Sequence, residues 1–230
     1  MDEVAKHGVD AAVIRRLRRE FSDDLASQIC SFASLQSKAR LKLGDGVWWV
    51  TPRALQQATA WQVARLKSKW FGDHDVIDLC CGIGGDAVEL ARRGRVVAVE
   101  KDRELARLAS ANLSIRDELI GRSAVICGDA RQFAPQNNEL VHIDPDRREN
   151  LRRSTRPDLY QPPWKDVQII IGQSGGGVVK LAPAAKIDQT DAESTHRVWL
   201  SLKGSVREQD ALYGDAISIA AAQLVMHDAA

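Results

Sequence analysis

Four carboxylates fall in or just past short apolar runs: Asp78 in VIDL, Glu100 after VVAV, Asp129 after AVIC-Gly128, and Asp144 directly after LVHI. Behind the first lies a small-residue turn, Cys80-Cys81-Gly82-Ile83-Gly84-Gly85, that runs into Asp86. Glycines there remove side chains where a backbone must come close to a ligand, and a helix starting near Asp86 aims its N-terminal N–H groups at the same space. Glu100 stands 18 positions after Gly82 (100 minus 82), a spacing suited to ribose hydroxyls. Asp129 with Ala130 suits an exocyclic amine such as adenine's. The rigid Asp144-Pro145 pair places a carboxylate and a carbonyl where a transferring group would meet its acceptor. Gly82 to Ala87 also satisfies G-x-G-x-x-A, so a nicotinamide dinucleotide (NAD) and oxidoreductase chemistry stand as an alternative. A solvated strand end explains any one of these acids; four in succession beside a glycine turn point to a nucleotide-like ligand.

Such residues need elements that bring strand ends together. Val76–Leu79, Val96–Glu100, Ala124–Cys127, Leu140–Ile143, Val178–Leu181 and Val198–Leu202 read as strands. Ala87–Arg93, closed by Gly94, Glu104–Leu113 and Val167–Ile171 read as helices between them, an alternation that signals a parallel sheet with crossover helices. Ligands of such sheets bind beyond the carboxyl ends of the strands. The final segment, including Ala220 to Met226, suits a last strand or helix. Upstream, Leu17, Phe21, Leu25, Ile29 and Phe32 recur at helical spacing between Ala11 and Leu43, with Ser22 as an internal N-cap. Thr51-Pro52 predicts a helix start, running to about Trp70 with Leu55, Ala58, Val63 and Leu66 inward. The adjacent Trp48 and Trp49 read first as core, with stacking on a base at a cleft mouth as the alternative.

The chain has 230 residues, 44% hydrophobic and 27% charged, with a formal net charge of +1; this excludes wholesale disorder and a globally basic nucleic-acid binder. No run is apolar for long enough to span a bilayer and the N-terminus has no apolar signal core, so a cytoplasmic location is expected. Cysteines 30, 80, 81 and 127 form no C-x-x-C pair and the histidines show no ligand spacing, so no metal is expected. His142, beside a strand end, reads as a packed or surface histidine. Basic clusters occur at Arg15, Arg16, Arg18 and Arg19, and at Arg147, Arg148, Arg152, Arg153 and Arg156 in a proline-rich loop; each suits a solvated face or contacts to phosphates.

With these residues in place, the region from Val76 to about Leu202 resembles a class I S-adenosylmethionine-dependent methyltransferase. VIDLCCGIGGD is similar to the family's glycine motif, VVAVEKD to its acidic second motif, CGDA to its third and HIDPDR to its fourth. The segment WWVTPRALQQAT, together with CCGIGGDAVELARRG, is similar to trimethylguanosine-synthase-like RNA methyltransferases and to bacterial proteins that pair such a domain with a THUMP-like one. The resemblance implies an α/β, Rossmann-like domain over residues 73–230, with a mostly parallel seven-stranded sheet flanked by helices, and an N-terminal helical extension over residues 1–72. It implies S-adenosylmethionine as cofactor and RNA as substrate, methylated on a base nitrogen, with guanine N2 among the candidate atoms. Thr51, Pro52, Asp78, Cys80, Gly82, Gly84, Gly85, Asp86, Glu100, Lys101, Asp129, Ala130 and Asp144 are the expected cofactor contacts, Asp78 near the methionine end. Asp144, Pro145, Asp146 and Arg147 are the expected catalytic segment.

In the fourth motif this chain has Asp144-Pro145-Asp146-Arg147 where the guanine-modifying enzymes have a serine, two prolines and an aromatic. Trp164 in QPPW is the nearest aromatic that could take over stacking. No THUMP-like domain is recognisable in the 230 residues, as for a piece of a longer protein. A non-catalytic, cofactor-binding RNA scaffold is the third reading, after the methyltransferase and the NAD enzyme.

Overall fold

A computed structural model of the chain describes residues 11–133, 135, 139–149, 152–187 and 195–218. Helices α1 (Ala11–Glu20) and α2 (Asp23–Leu43) part at Ser22, whose hydroxyl accepts from the Leu25 backbone N–H at 3.3 Å, with Asp23 and Asp24 in the first turn. The inward face of α2 differs from the expected apolar stripe. Ala26, Gln36, Ala39 and Leu43 are buried, whereas Phe21 and Leu25 are exposed. Gln36 serves as a side-chain splint for the next segment, donating to the Trp48 carbonyl at 2.7 Å and accepting from its N–H at 3.1 Å. Trp48 is buried, and Trp49 packs edge-on against Phe32.

The long helix expected from Pro52 to Trp70 is broken in the structure. Thr51 caps α3 (Pro52–Gln57), the chain runs extended through Ala58 and Ala60, and α4 (Trp61–Ser68) starts afresh before a 3-10 turn at Lys69–Phe71. The break carries Thr59 into the interior. Register on α4 also differs: Leu66 is exposed and Lys67 is buried in its place. Carboxylates beneath the helix account for that inversion, as described below.

Seven strands form one sheet in the order Ser123–Cys127 (β3), Val96–Glu100 (β2), Val76–Leu79 (β1), Leu140–Ile143 (β4), Gly176–Leu181 (β7), Ser205–Gly214 (β9) and His196–Leu202 (β8). Strands β1 (Val76–Leu79), β2 (Val96–Glu100), β3 (Ser123–Cys127), β4 (Leu140–Ile143) and β7 (Gly176–Leu181) are parallel, linked by α5 (Gly85–Arg93), α6 (Arg103–Ser114) and α7 (Trp164–Gly172). The proline-rich loop holds a two-residue-per-strand hairpin, β5 (Arg148–Glu149) and β6 (Arg152–Arg153). Strand β8 (His196–Leu202) turns at Lys203-Gly204, both with positive φ, into β9 (Ser205–Gly214), which enters the sheet antiparallel beside β7. The seventh strand therefore lies at 205–214. The expected last element at Ala220 to Met226 falls outside the described residues.

Two cores sandwich the sheet. Trp48, Val50, Leu55, Val63, Phe71 and Ile83 pack with Val76, Leu140, Val178 and Leu212 on the face covered by α2 to α6. Ile77, Leu79, Val141, Ile143, Val179 and Leu181 meet Tyr160, Trp164, Val167 and Ile170 on the other. Because side chains alternate along a strand, Asp78, His142, Lys180, Glu208 and Asp210 belong to the first face. The register sets Asp78 opposite His142 and Lys180 opposite Asp210. Among the described residues no helix is long and apolar enough to cross a membrane.

The closest approach of β4 and β7 depends on a missing side chain: a Cβ on Gly177 would fall on the Val141 carbonyl oxygen. Gly177→Ala is expected to destabilise the fold by about 3 kcal/mol through overpacking. Gly172→Ala, where nothing lies within 4 Å, is expected to be neutral or to stabilise by up to about 1 kcal/mol. Urea-unfolding midpoints of the two variants check the contrast.

Candidate functional site

The chain leaves β1 through a tight turn in which Cys80 (φ 61), Gly82 (φ 57) and Gly84 (φ 79) all adopt positive φ before α5 begins. A Cβ on Gly82 would meet nothing within 4 Å, so the turn faces open space. Glu100 at the tip of β2 fixes it: one carboxylate oxygen accepts from the Gly82 N–H and the other from the Asp102 N–H, both at 2.9 Å. Burial raises the Glu100 carboxyl above its ordinary range, against the pull of those two donors.

The turn is one wall of a cavity of about 620 Å3 at the carboxyl ends of β1, β2, β3 and β4, within the usual size range of small-molecule sites. Of the expected cofactor contacts, Thr51, Cys80, Gly82, Gly85, Asp86, Glu100, Lys101, Asp129, Ala130 and Asp144 line it; so do Pro145, Asp146 and Arg147 of the expected catalytic segment. Pro52, Asp78 and Gly84 do not. Pro52 is the first residue of α3, beside the cap that faces the cavity, and Gly84 is buried behind the turn against Ala109. Asp78 requires a correction of role. Strand alternation turns its side chain under α5 rather than toward the strand tip, and its carboxylate lies 2.6 Å from His142 Nδ1 with no solvent exposure. The turn itself, not Asp78, lines the cavity there.

Several lining groups already have partners. Asp129 is held by the backbone N–H and guanidinium of Arg131, which bring its carboxyl down to about 2. Lys101 donates to the Gln161 side chain at 3.1 Å, and Gln161 and Asp146 exchange backbone hydrogen bonds, tying the loop after β4 to the Gln161-Pro162-Pro163 wall. Trp164, the nearest candidate for base stacking, is buried in the second core; Trp48 and Trp49 do not line the cavity. No aromatic side chain is among the described lining residues. Arg156 is exposed, while the side chains of Arg148, Arg152 and Arg153 lie outside what the structure describes. Burial keeps the thiols of Cys80 and Cys81 protonated, and among the described residues no cluster of three His, Cys, Asp or Glu side chains is placed to hold a metal.

Beneath the cavity lies a charged network that residue spacing did not reveal. Lys180 Nζ is 2.7 Å from Asp144 Oδ2, 2.8 Å from Thr59 Oγ1 and 3.5 Å from Glu208. Thr59 in turn donates to Asp86 at 2.6 Å. Lys67 Nζ stands 2.9 Å from Asp86, 2.8 Å from Glu208 and 3.3 Å from His142, close ion pairs rather than aligned hydrogen bonds for the two carboxylates. Thr59, Asp86, Lys67, Glu208 and Lys180 thus close a ring, from which Asp144 reaches the cavity. For Lys67, burial opposes the charge, but Asp86, Glu208, Asp210 and Asp144 outweigh it and hold the ammonium well above its ordinary range. The only sequence signal was polar residues in otherwise apolar strands: Asp78 in VIDL, His142 in LVHI, Lys180 in VVKL.

The strand order, with the chain reversing direction across the sheet between β1 and β4, and the cavity at that switch point define the Rossmann-like fold of class I methyltransferases. No protein-family model matches the chain. Uncharacterized S-adenosylmethionine-dependent methyltransferases of Mycobacterium tuberculosis, from strains CDC 1551 and H37Rv, are homologues, each 32% identical over 204 residues. The match takes in 84% of this chain and 55% of theirs, so the chain spans about half the length of the curated relatives it matches. Two solved structures share the fold: PH1948 of Pyrococcus horikoshii, a candidate RNA methyltransferase (TM-score 0.51, 18% identity, 72% of this chain and 90% of that one), and TrmN of Thermus thermophilus (TM-score 0.51, 16% identity, 71% and 52%).

Asp210 carries a testable consequence. Opposite Lys180 in the ladder, its buried oxygens have no hydrogen-bond partner, and burial, then Glu208, raise its carboxyl to about 8. An acid whose folded pKa is raised contributes stability that is full below its unfolded value near 4 and is lost as pH rises toward the folded value. Thermal midpoints should therefore fall between about pH 4 and pH 8, and Asp210→Asn should flatten that slope. Calorimetry at several pH values measures it.

Proposed function

We propose that the chain is the catalytic domain of an S-adenosylmethionine-dependent methyltransferase and that its acceptor is a base nitrogen in RNA. The observation that carries the first part is the Gly82 turn, open to a cavity of about 620 Å3 and braced by Glu100 at the switch point of the sheet. The residues fit the cofactor: the turn and Thr51 for its methionine end, Glu100 and Lys101 for ribose hydroxyls, Asp129 and Ala130 for adenine. S-adenosylmethionine supplies a methyl group already activated on a sulfonium. The protein's own task is alignment and exclusion of water.

For the acceptor, Asp144 is the available group. Its carboxylate lines the cavity, and although burial favours the neutral acid, Lys180 and Arg147 bring it below its ordinary range, so it is ionised at neutral pH. An ionised carboxylate there receives the N–H of an amine and turns the nitrogen toward the reacting group. Arg53, Lys101, Arg131 and Arg147 add cationic side chains to the lining, which favours a phosphate-bearing acceptor. The cavity lining offers no aromatic platform among its described residues, and guanine N2 is therefore one candidate among base amines rather than the favoured one.

Transfer of labelled methyl from S-adenosylmethionine to total RNA tests the whole reading. Nuclease-sensitive, protease-resistant label is expected; label only in protein or small molecules would overturn the RNA acceptor. Asp144→Ala should lower turnover by roughly 100-fold or more, the scale of a lost acid–base group. Glu100→Gln should weaken S-adenosylhomocysteine binding by about 10-fold, the scale of a lost charge-assisted hydrogen bond, which calorimetric titration measures.

A further inference from the structure

We propose that Lys180 is a positioning residue of this site: its ammonium, clamped between Thr59 and Glu208, holds the Asp144 carboxylate ionised and directed into the cavity. The proposal rests on the methyltransferase reading for its purpose but on geometry for its substance. Lys180 is 3% exposed and lies within β7, paired with Asp210 of β9, so its position is set by the sheet rather than by a flexible loop. Three contacts converge on one nitrogen: Asp144 at 2.7 Å, Thr59 at 2.8 Å and Glu208 at 3.5 Å. Of these partners, Asp144 lines the cavity and Thr59 borders it, while Glu208 stands behind. Thr59 is itself fixed by donating to Asp86, and Glu208 by Lys67, so the clamp on Lys180 does not depend on ligand.

The charged groups around the pair can be named. Asp144 faces Lys180 from β7, Arg147 from its own loop, Asp86 from α5 and Lys67 from α4. Lys180 faces Asp144, Glu208 from β9, Lys67 and Asp86. With Lys180 removed, Asp144 is left among Asp86 and Glu208 with Lys67 and Arg147 as its remaining cations. A carboxylate so placed is protonated at higher pH and has no donor to fix its rotamer.

The decisive measurement needs no cofactor. Carbon-13 NMR of aspartate-carboxyl-labelled protein, with the Asp144 signal assigned through Asp144→Asn, reports ionisation directly. Wild-type Asp144 is expected to titrate below the ordinary aspartate range, while in Lys180→Met its titration should move up by at least about one unit; Lys180→Arg should restore wild-type behaviour. The acid limb of kcat/KM should move by the same amount. An Asp144 titration unmoved in Lys180→Met, or a loss of activity uniform across pH, would overturn the proposal. If Lys180→Met does not fold, Lys180→Met/Glu208→Gln removes one charge of each sign from the ring and allows the same reading. A shifted titration in a protein that transfers no methyl group would leave the clamp standing and refute the methyltransferase reading instead.

Discussion

Lys67 is an ammonium at 1% exposure in the middle of a protein, and the structure around the cavity follows from what that requires. Taking a charge out of water costs several kcal/mol unless carboxylates meet it at short range, and removing one member of such a set costs about 3–5 kcal/mol because the others are left uncompensated. Asp86 at the start of α5 and Glu208 on β9 meet this demand, and each must then be satisfied in its turn. Thr59 and Lys180 complete the circuit. The result ties α4, α5, β7 and β9 together through side chains that have no acceptable alternative partner, more specifically than the surrounding apolar contacts do.

That circuit also explains two features of the backbone. The helix broken at Ala58 to Ala60 costs hydrogen bonds that a continuous helix would keep, and in return the Thr59 hydroxyl reaches both Asp86 and Lys180. The interior position on α4 goes to Lys67 while Leu66 faces outward, an exchange that makes sense only with carboxylates below. Glu100 plays a comparable part on the other side of the cavity, where its carboxylate holds a turn whose positive φ values turn backbone toward the cavity. Both walls are thus preorganised by buried acids.

Much of the fold was legible in the sequence, for local reasons. The limits of β1, β2 and β4, the Ser22 and Thr51 caps and the glycine turn all depend on residue type within a few positions, and each lies where the pattern put it. The seventh strand was hidden because SVREQDALYG alternates neither cleanly apolar nor cleanly polar: Glu208 and Asp210 point inward to lysines contributed by other elements. Helix α2 misled for a similar reason, since its buried face uses Ala26, Gln36, Ala39 and Leu43 while Leu25, and Phe21 just before the helix, are exposed. At the site, lining residues followed from strand ends, but Asp78 did not. Whether an acid inside a strand faces the tip or the neighbouring helix is set by its parity against the sheet, and here parity gives it to His142. Lys67, Thr59, Lys180 and Glu208 are separated by many residues, and only the assembled sheet makes them one group.

The charge balance of that group bears on what the cavity prefers. Asp78, Asp86, Asp144, Glu208 and Asp210 lie on one face of the sheet with Lys67, Lys180 and His142. Even with the imidazole charged, acids exceed bases, and protonation of Asp210 near neutral pH removes only part of the excess. The remaining negative field has a low-dielectric layer of helices on one side and opens toward the cavity through Asp144, the member with 26% side-chain exposure. Fields of that kind act over the dimensions of a small ligand and favour a cationic centre placed above them. On the proposed reading, a sulfonium cofactor gains from this field while its neutral thioether product does not. The buried acids would then bias the site toward the charged form of the cofactor, while the arginines and Lys101 lining the same cavity attract a polyanionic acceptor. On the same proposed reading, opposite potentials in one cleft, one beneath and one along its walls, would suit transfer from a cation to a nucleic acid.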